Sequence, residues 1–319
     1  MAYRKKILID TDIGDNLDDA FAILSAMALD FEIVGITTVF RDTDSRARLA
    51  KKLLASFGSG YASVPVFAGY SGDDAQENTA YPCFFEADLA SEVYAPQNTV
   101  PEAAVDFMID CCYQYQKDLT IVALGPFCNI AKVIEKDPAA LHLANKVVIM
   151  GGAYFKQYAD WNVMCDVPAA DRMYQSLPNL ECIGADVTHR LTDTGYLEDA
   201  LASAESCNAA FSYVAELYRY WRQQHPTDAL VLHDVLVLYY LYDPTICAMQ
   251  QIHTAVITEG LAKGLTLNVD AYGKTYLNSA YQAYVSGPPV LAASNVDVEK
   301  FHQFVRRDIS FFQTSIPVI

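Results

Sequence analysis

The chain has 319 residues, 52% of them hydrophobic, which is ample for a substantial core and excludes a protein that stays mainly disordered. A formal net charge of -17 with a pI near 4.6 excludes a nucleic-acid backbone as the main partner, since that role needs clustered Lys and Arg. The opening MAYRKKILID runs straight into charge and no apolar run reaches membrane-spanning length, so the expectation is a cytoplasmic protein with no membrane partner.

Apolar runs of strand length recur at Ile7 to Ile9, Glu32 to Val39, Leu119 to Leu124, Lys146 to Met150 and Glu181 to Gly184. Helical periodicity fills the gaps at Asp19 to Leu29, Arg46 to Phe57, Glu102 to Tyr115 and Asn129 to Glu135. The alternation predicts an α/β fold with an open, mostly parallel central sheet flanked by helices. No linker, repeat or composition shift cuts the chain, so 1–319 is expected to be a single domain. Two polar excursions, Gly69 to Gln97 and Gln223 to Asp228, read as binding loops or lids. The 8 Cys, at 83, 111, 112, 128, 165, 182, 207 and 247, lack paired CxxC spacing and are expected to be reduced and mostly buried.

The run DTDIGDNLDD, residues 10–19, carries the strongest chemical signal. Asp10 and Asp12 close the first strand, at the carboxyl end where open α/β sheets build their sites. Asp18 and Asp19 start the next helix, and Asp15 lies between the pairs. Capping that helix needs only one or two oxygens, so this many carboxylates in one turn point to a hard divalent cation. Gly14 permits the tight turn. Further along, the Leu119 to Leu124 strand runs into Gly125-Pro126, and Lys146 to Met150 runs into Gly151-Gly152. There follow Asp160, Trp161 and Asn162, an acid, an aromatic and an amide suited to a polyhydroxylated ligand. Asp166 reads as the start of another helix. The acid-and-His segment Asp186 to Arg190 reads as strand-end structure or as support behind the site residues. His233-Asp234 opens the apolar helix Val235 to Tyr242, where Asp234 either caps the helix or reaches a metal.

The segments DTDIGDNLDDAFAI, ITTV, ALGPFCNIA, VVIMGGAY, DWNVMCDVPAA, GADVTH and LHDVLV, in this order, resemble the inosine-uridine-preferring nucleoside hydrolase family. They span most of Ile7 to Tyr242, with fainter similarity through KGLTLNVD and NVDVEKFHQFV. The resemblance implies a Rossmann-like fold and calcium-dependent hydrolysis of the N-glycosidic bond of ribonucleosides to ribose and free nucleobase. It implies that Asp12 is both metal ligand and general base, and that Asp19, the Leu124 carbonyl and Asp234 complete the Ca2+ shell. Asp18 would contact the ribose 2-hydroxyl, Asn162 and Asp160 the 3- and 5-hydroxyls, and Met150 would lie near the sugar. His233 would protonate the departing base. Asp10 would support the turn.

The chain departs from the family pattern after ITTV, where Phe40-Arg41-Asp42-Thr43 replaces the usual Gly-Asn and puts the Asp42 carboxylate where an amide touches ribose or base. The family's His-Gly segment is missing near residues 80–96. Base-pocket candidates are Trp161 and the aromatics Tyr218, Tyr220 and Trp221, while Asp234 would touch the substrate as well as the metal. The resemblance implies a ribonucleoside as the small-molecule partner and, as is general in the family, assembly into a homodimer or homotetramer. Two other readings stay open at this point: a ribose- or nucleoside-binding protein without turnover, and a phosphatase using Asp10 and Asp12 as an aspartate nucleophile pair.

Overall fold

The computed structural model describes residues 4–72, 94–193, 195–202, 208–273 and 287–314. Strands β1 (Lys6–Thr11), β2 (Glu32–Thr38), β3 (Val66–Ala68), β4 (Leu119–Ala123), β5 (Lys146–Met150), β6 (Leu180–Ile183) and β7 (Cys247–Ile252) are followed by a short ribbon, β8 (Thr254–Val256) with β9 (Thr266–Asn268), and by β10 (Val290–Val296). The main sheet has 8 strands in the order β3-β2-β1-β4-β5-β6-β10-β7. All its pairings are parallel except β10 with β7, an antiparallel edge. The chain runs outward from β1 through β3 and then crosses back to β4 on the other side of β1. Strand order therefore reverses between β1 and β4, and a crevice opens at their carboxyl ends, where such sheets bind ligands.

The central strands are buried on both faces, so they read as near-continuous apolar runs. Strand β1 extends beyond its apolar segment because pairing continues on both sides. Asp10 stands opposite Thr37 of β2 and Ala123 of β4, and Thr11 opposite Thr38. Strands β3, β7, β8, β9 and β10 were not anticipated. The first four are short or, in β7, half exposed, so no run of buried residues marks them; β10 is mostly buried, and its apolar start at Val290 to Ala293 was passed over.

Helix α1 (Asp18–Ala28) is buried from Asp18 through Met27, matching its all-round apolar sequence. It stops where Asp30 turns left-handed at φ 59°. The Asp30 N–H donates to Met27 O and the Phe31 N–H to Ala26 O, both at 3.1 Å, which is the Schellman pattern with Asp in place of the usual Gly. The Val235–Tyr242 helix packs against α1 and is buried except at Tyr242. Both helices aim their amino termini at the crevice.

A polar bolt fixes this pair from behind. The Tyr239 hydroxyl donates to Asp308 Oδ2 at 2.9 Å and lies 3.5 Å from Ser25 Oγ of α1. Asp308 is fully buried on the Val298–Thr314 helix and also takes an ion pair from Arg307 at 2.8 Å. Cys111, Cys112, Cys128, Cys182 and Cys247 are buried free thiols and Cys165 is half-buried; Cys83 and Cys207 lie outside the described residues. Among the described residues no helix is long and apolar enough to cross a membrane.

Tyr239→Phe leaves the ring in place and removes one partner of a buried carboxylate. The expected loss is about 1–3 kcal/mol, read as a lower urea midpoint at unchanged slope. Unaltered stability would show that Arg307 and Ser25 satisfy Asp308 without the Tyr239 hydroxyl.

Candidate active site

At the reversal point lies a cavity of about 850 Å³. Its floor is built from strand ends and helix starts. Asp12 follows β1, Leu124 follows β4, Met150 ends β5, Asp18 and Asp19 begin α1, and Asp234 precedes the Val235–Tyr242 helix. Asp160, Trp161 and Asn162 come from the turn beyond β5. The structure thus brings together the site residues anticipated from sequence, except Asp42 and the base-pocket candidate Tyr218.

Asp18, Asp19 and Asp234 each offer a carboxylate oxygen, and these atoms lie within 4.8 Å of one another. All are at least 96% buried. Thr11 Oγ1 donates to Asp19 Oδ1 at 2.5 Å, and the Asp234 backbone N–H donates to Asp18 Oδ2 at 3.2 Å. Asp12 is buried beside them and feels the charges of Asp19, Asp15 and Asp18. The Leu124 carbonyl accepts from Asn162 Nδ2 at 2.6 Å, and the same amide reaches Met150 O at 3.1 Å, clamping the ends of β4 and β5. Gly125 is required by proximity, because a Cβ there would sit 2.8 Å from the Asp12 backbone nitrogen and 2.9 Å from its carboxylate.

Burial is the first cause of raised pKa values throughout the cluster, followed by neighbouring carboxylates at Asp12, Asp18 and Asp234. Asp18 is pushed up to about 7 and Asp19 to about 6, while Asp12 and Asp234 are held well above the ordinary range. Two like charges at 4.8 Å repel by about 3 kcal/mol at an effective dielectric near 20. Three such pairs approach the whole stability of a domain, so the group ionises fully only with a cation among it. The donor set consists of hard oxygens, the set that Ca2+ and Mg2+ prefer. These residues fit a divalent metal ion.

Asp15, left open by the sequence, pairs with Arg46 at 2.8 Å and stands 3.7 Å from Arg41. Arg46 also donates to the Asp12 and Ile13 carbonyls and so holds the whole turn. Asp10 turns away from the cavity, with its Oδ1 accepting from Thr37 Oγ1 and Asn129 Nδ2, both at 2.7 Å. Burial pushes it up to about 7. The Asp10–Asp12 nucleophile pair of the phosphatase reading is therefore not built.

Asp42 is a correction. It is exposed at the start of α2 (Thr43–Phe57), where its carboxylate accepts from Ser45 N at 3.1 Å and Ser45 Oγ at 2.7 Å. The helix cap consumes it, and Arg41 lines the cavity instead. Asp160 is buried, caps the Trp161–Cys165 helix through Val163 N at 3.2 Å, and is raised to about 6 by burial. Trp161 is 53% exposed and stands at the mouth.

The opposite wall holds His233, whose Nδ1 lies 2.6 Å from Thr188 Oγ1. Its ring meets His189 edge-on at 5.2 Å, and His189 stacks flat on Tyr158 at the same distance. Burial, then His189, pushes the His233 pKa down to about 4, so the imidazole is neutral at pH 7. Tyr220, Trp221, Gln224, His225 and Asp228 complete this side, whereas Tyr218 packs behind Trp221 at 6.4 Å. Thr11, Arg46 and Asn129 carried no chemical signal in the sequence, whereas Arg41 stood in the departure Phe40-Arg41-Asp42-Thr43 and Thr188-His189 in the acid-and-His segment Asp186 to Arg190, read as strand-end structure or as support behind the site. The long excursion from Gly69 is described only to residue 72 and from 94 onward, so the segment around residues 80–93 lies outside the described residues.

The sequence profile of the family "Inosine-uridine preferring nucleoside hydrolase" matches residues 7–303. The chain is 28% identical over 318 residues to a probable uridine nucleosidase of Oryza sativa subsp. japonica, covering 95% of this chain and 96% of that one. A plant nucleoside hydrolase structure superposes with a TM-score of 0.80 at 25% identity, covering 98% of this chain and 99% of the other. A purine-preferring ribonucleoside hydrolase from Gardnerella vaginalis gives 0.72 at 25% identity, covering 96% and 98%.

The electrostatics make a thermodynamic prediction for the metal-free chain. Asp18 and Asp19 have folded values near 7 and 6, above an unfolded value of about 4. The folded state then binds more protons, so this contribution to stability is full below about pH 4 and is lost as pH rises through about 6 to 7. His233, held down at about 4, acts in the opposite sense between about pH 4 and 6.5, but the raised carboxyls, Asp10, Asp12 and Asp234 included, outnumber it; the lowered carboxyls, Asp243 at about 2 and Glu135, act only in a more acidic window. Chelator-treated protein should show a falling urea midpoint between about pH 5 and 8; a rising midpoint would mean that the cluster is ionised without a cation.

Proposed function

Because the chain belongs to the inosine-uridine preferring nucleoside hydrolase family, and is accordingly an N-ribosyl hydrolase, we propose that it hydrolyses ribonucleosides to ribose and free nucleobase with calcium as its metal. The observation that carries this reading is the trio Asp18, Asp19 and Asp234, with carboxylate oxygens within 4.8 Å of one another on the floor of the cavity.

Asp12, Asp19, Asp234 and the Leu124 carbonyl would hold calcium. The proximity of Asp18 to the same point adds it as a competing ligand, although its resemblance-based role is a ribose hydroxyl contact. Calcium, when bound, supplies Lewis acidity and a fixed position for sugar hydroxyls and water. Asp12 accepts the proton of the attacking water. Asp160 and Asn162 orient the ribose, with Met150 covering its apolar side. The carboxylates stabilise the positive charge that develops on the ribose as the bond to the base breaks. Neutral His233 serves the departing base by donating a hydrogen bond from Nε2 when Thr188 donates to Nδ1.

A panel of purine and pyrimidine nucleosides incubated with protein and calcium, assayed for reducing sugar, tests the reaction. Ribose release from at least one member is expected, together with loss on chelation and recovery with calcium. Asp12→Asn should lower kcat by roughly 10²- to 10⁴-fold. Absence of ribose from every nucleoside, with tight nucleoside binding by calorimetry, would favour the binding-protein reading.

A further inference from the structure

Phe40 and Arg41 are consecutive side-chain-bearing residues in the left-handed region, at φ 70° and 58°. This backbone is costly for L residues and is kept where the surroundings over-determine it. Here they do. Phe40 N donates to Tyr70 O and Arg41 N to Ser71 O, both at 2.8 Å, while Arg46 Nε donates to Phe40 O at the same distance. The Phe40 ring packs with Val39 and Cys128. The Arg41 side chain is only 6% exposed, yet it lines the cavity.

The guanidinium is aimed by Phe40, Trp161 and Asp15. It lies 4.7 Å from the Phe40 ring centroid and 5.6 Å from that of Trp161 at the mouth. Its ion pair with Asp15 is long, at 3.7 Å, because Arg46 holds the same oxygen at 2.8 Å. The cavity floor carries the carboxylates of Asp12, Asp18, Asp19 and Asp234, so a cation among its lining residues opposes the prevailing charge. The floor serves the ribose, on which positive charge grows during the reaction. A cation is useful for the other fragment, the base, which gains electrons.

We infer that Arg41, seated between Phe40 and Trp161, contacts the leaving nucleobase and stabilises its negative charge through hydrogen bonds to a ring carbonyl oxygen. The inference rests on the hydrolase reading. As the C1′–N bond breaks, its electron pair stays on the base nitrogen and is shared with the carbonyl oxygen. The water oxygen bonds C1′ and its proton passes to Asp12. The base takes a proton from solvent after departure. A guanidinium has donors only, so it satisfies an oxo group and is left unpaired by an exocyclic amine at the same position. Trp161 supplies the apolar face and Arg41 the polar edge.

Arg41→Gly suits the left-handed backbone and deletes the guanidinium, so it should fold and melt no lower than the parent. The test compares parent, Arg41→Gly and Arg41→Lys, with calcium, on uridine and on p-nitrophenyl riboside, whose phenolate leaves unaided. The expected result is a fall in kcat on uridine of roughly 10²- to 10³-fold, the scale of losing one charge-directed donor. On p-nitrophenyl riboside turnover stays near parental, and Arg41→Lys recovers part of the uridine loss. Equal losses on both substrates would overturn the inference, since the residue would then act on ribose or on the turn. So would parental cleavage of uridine 5′-monophosphate above uridine that vanishes in Arg41→Gly, because the guanidinium would then read a phosphate. A parent inactive on both ribosides overturns the hydrolase reading and this one with it, whereas an active parent isolates Arg41.

Discussion

Buried carboxylates that repel one another are the constraint on which this structure is organised. Four of them, Asp12, Asp18, Asp19 and Asp234, converge at one point with almost no solvent to screen them. Such a group is stable in a folded chain only as a partly protonated cluster or around a cation. The rest of the architecture can be understood as the means of holding it. Strand order reverses between β1 and β4, leaving their ends adjacent but diverging. Helices α1 and Val235–Tyr242 present amino termini, with their partial positive charge, to the same spot. Packing of those helices against each other and against Tyr239–Asp308 prevents the repulsion from being relieved by spreading.

A second ring of polar contacts fixes the carboxylates that are not free to move. Arg46 threads under the first turn and neutralises Asp15, while Asn129 ties Asp10 to the sheet through Thr38 O at 3.0 Å. Asn162 spans the Leu124 and Met150 carbonyls. These groups explain why one acidic run of ten residues (10–19) divides into parts facing different ways. Asp12, Asp18 and Asp19 face the cavity, Asp15 lines it with its carboxylate held by Arg46, and Asp10 faces the neighbouring strand.

The central sheet was legible because its strands are buried on both faces, and the observed bounds of β5 match the apolar run Lys146 to Met150. The edge was not, since β7 alternates irregularly and owes its place to β10. The acidic floor was legible because four carboxylates in one turn have no other economical use. Its supports were not. Arg46 is an ordinary helical residue by pattern, and Asn129 looks like the start of an amphipathic helix. Asp42 misled for a related reason. Sequence position put it at the site, but a two-residue left-handed turn rotates Arg41 inward and leaves Asp42 to cap α2. Backbone handedness at residues with side chains has no reliable signature in one sequence.

If this carboxylate cluster is a metal centre beside a ribose site, a crystal structure with calcium and ribose will show one ion within about 2.3–2.6 Å of Asp19 and Asp234, with Asp12 or Asp18 completing the carboxylate shell and ribose hydroxyls against Asp160 and Asn162. An ion bound elsewhere, or ribose bound while the cluster stays closed on itself, would contradict it.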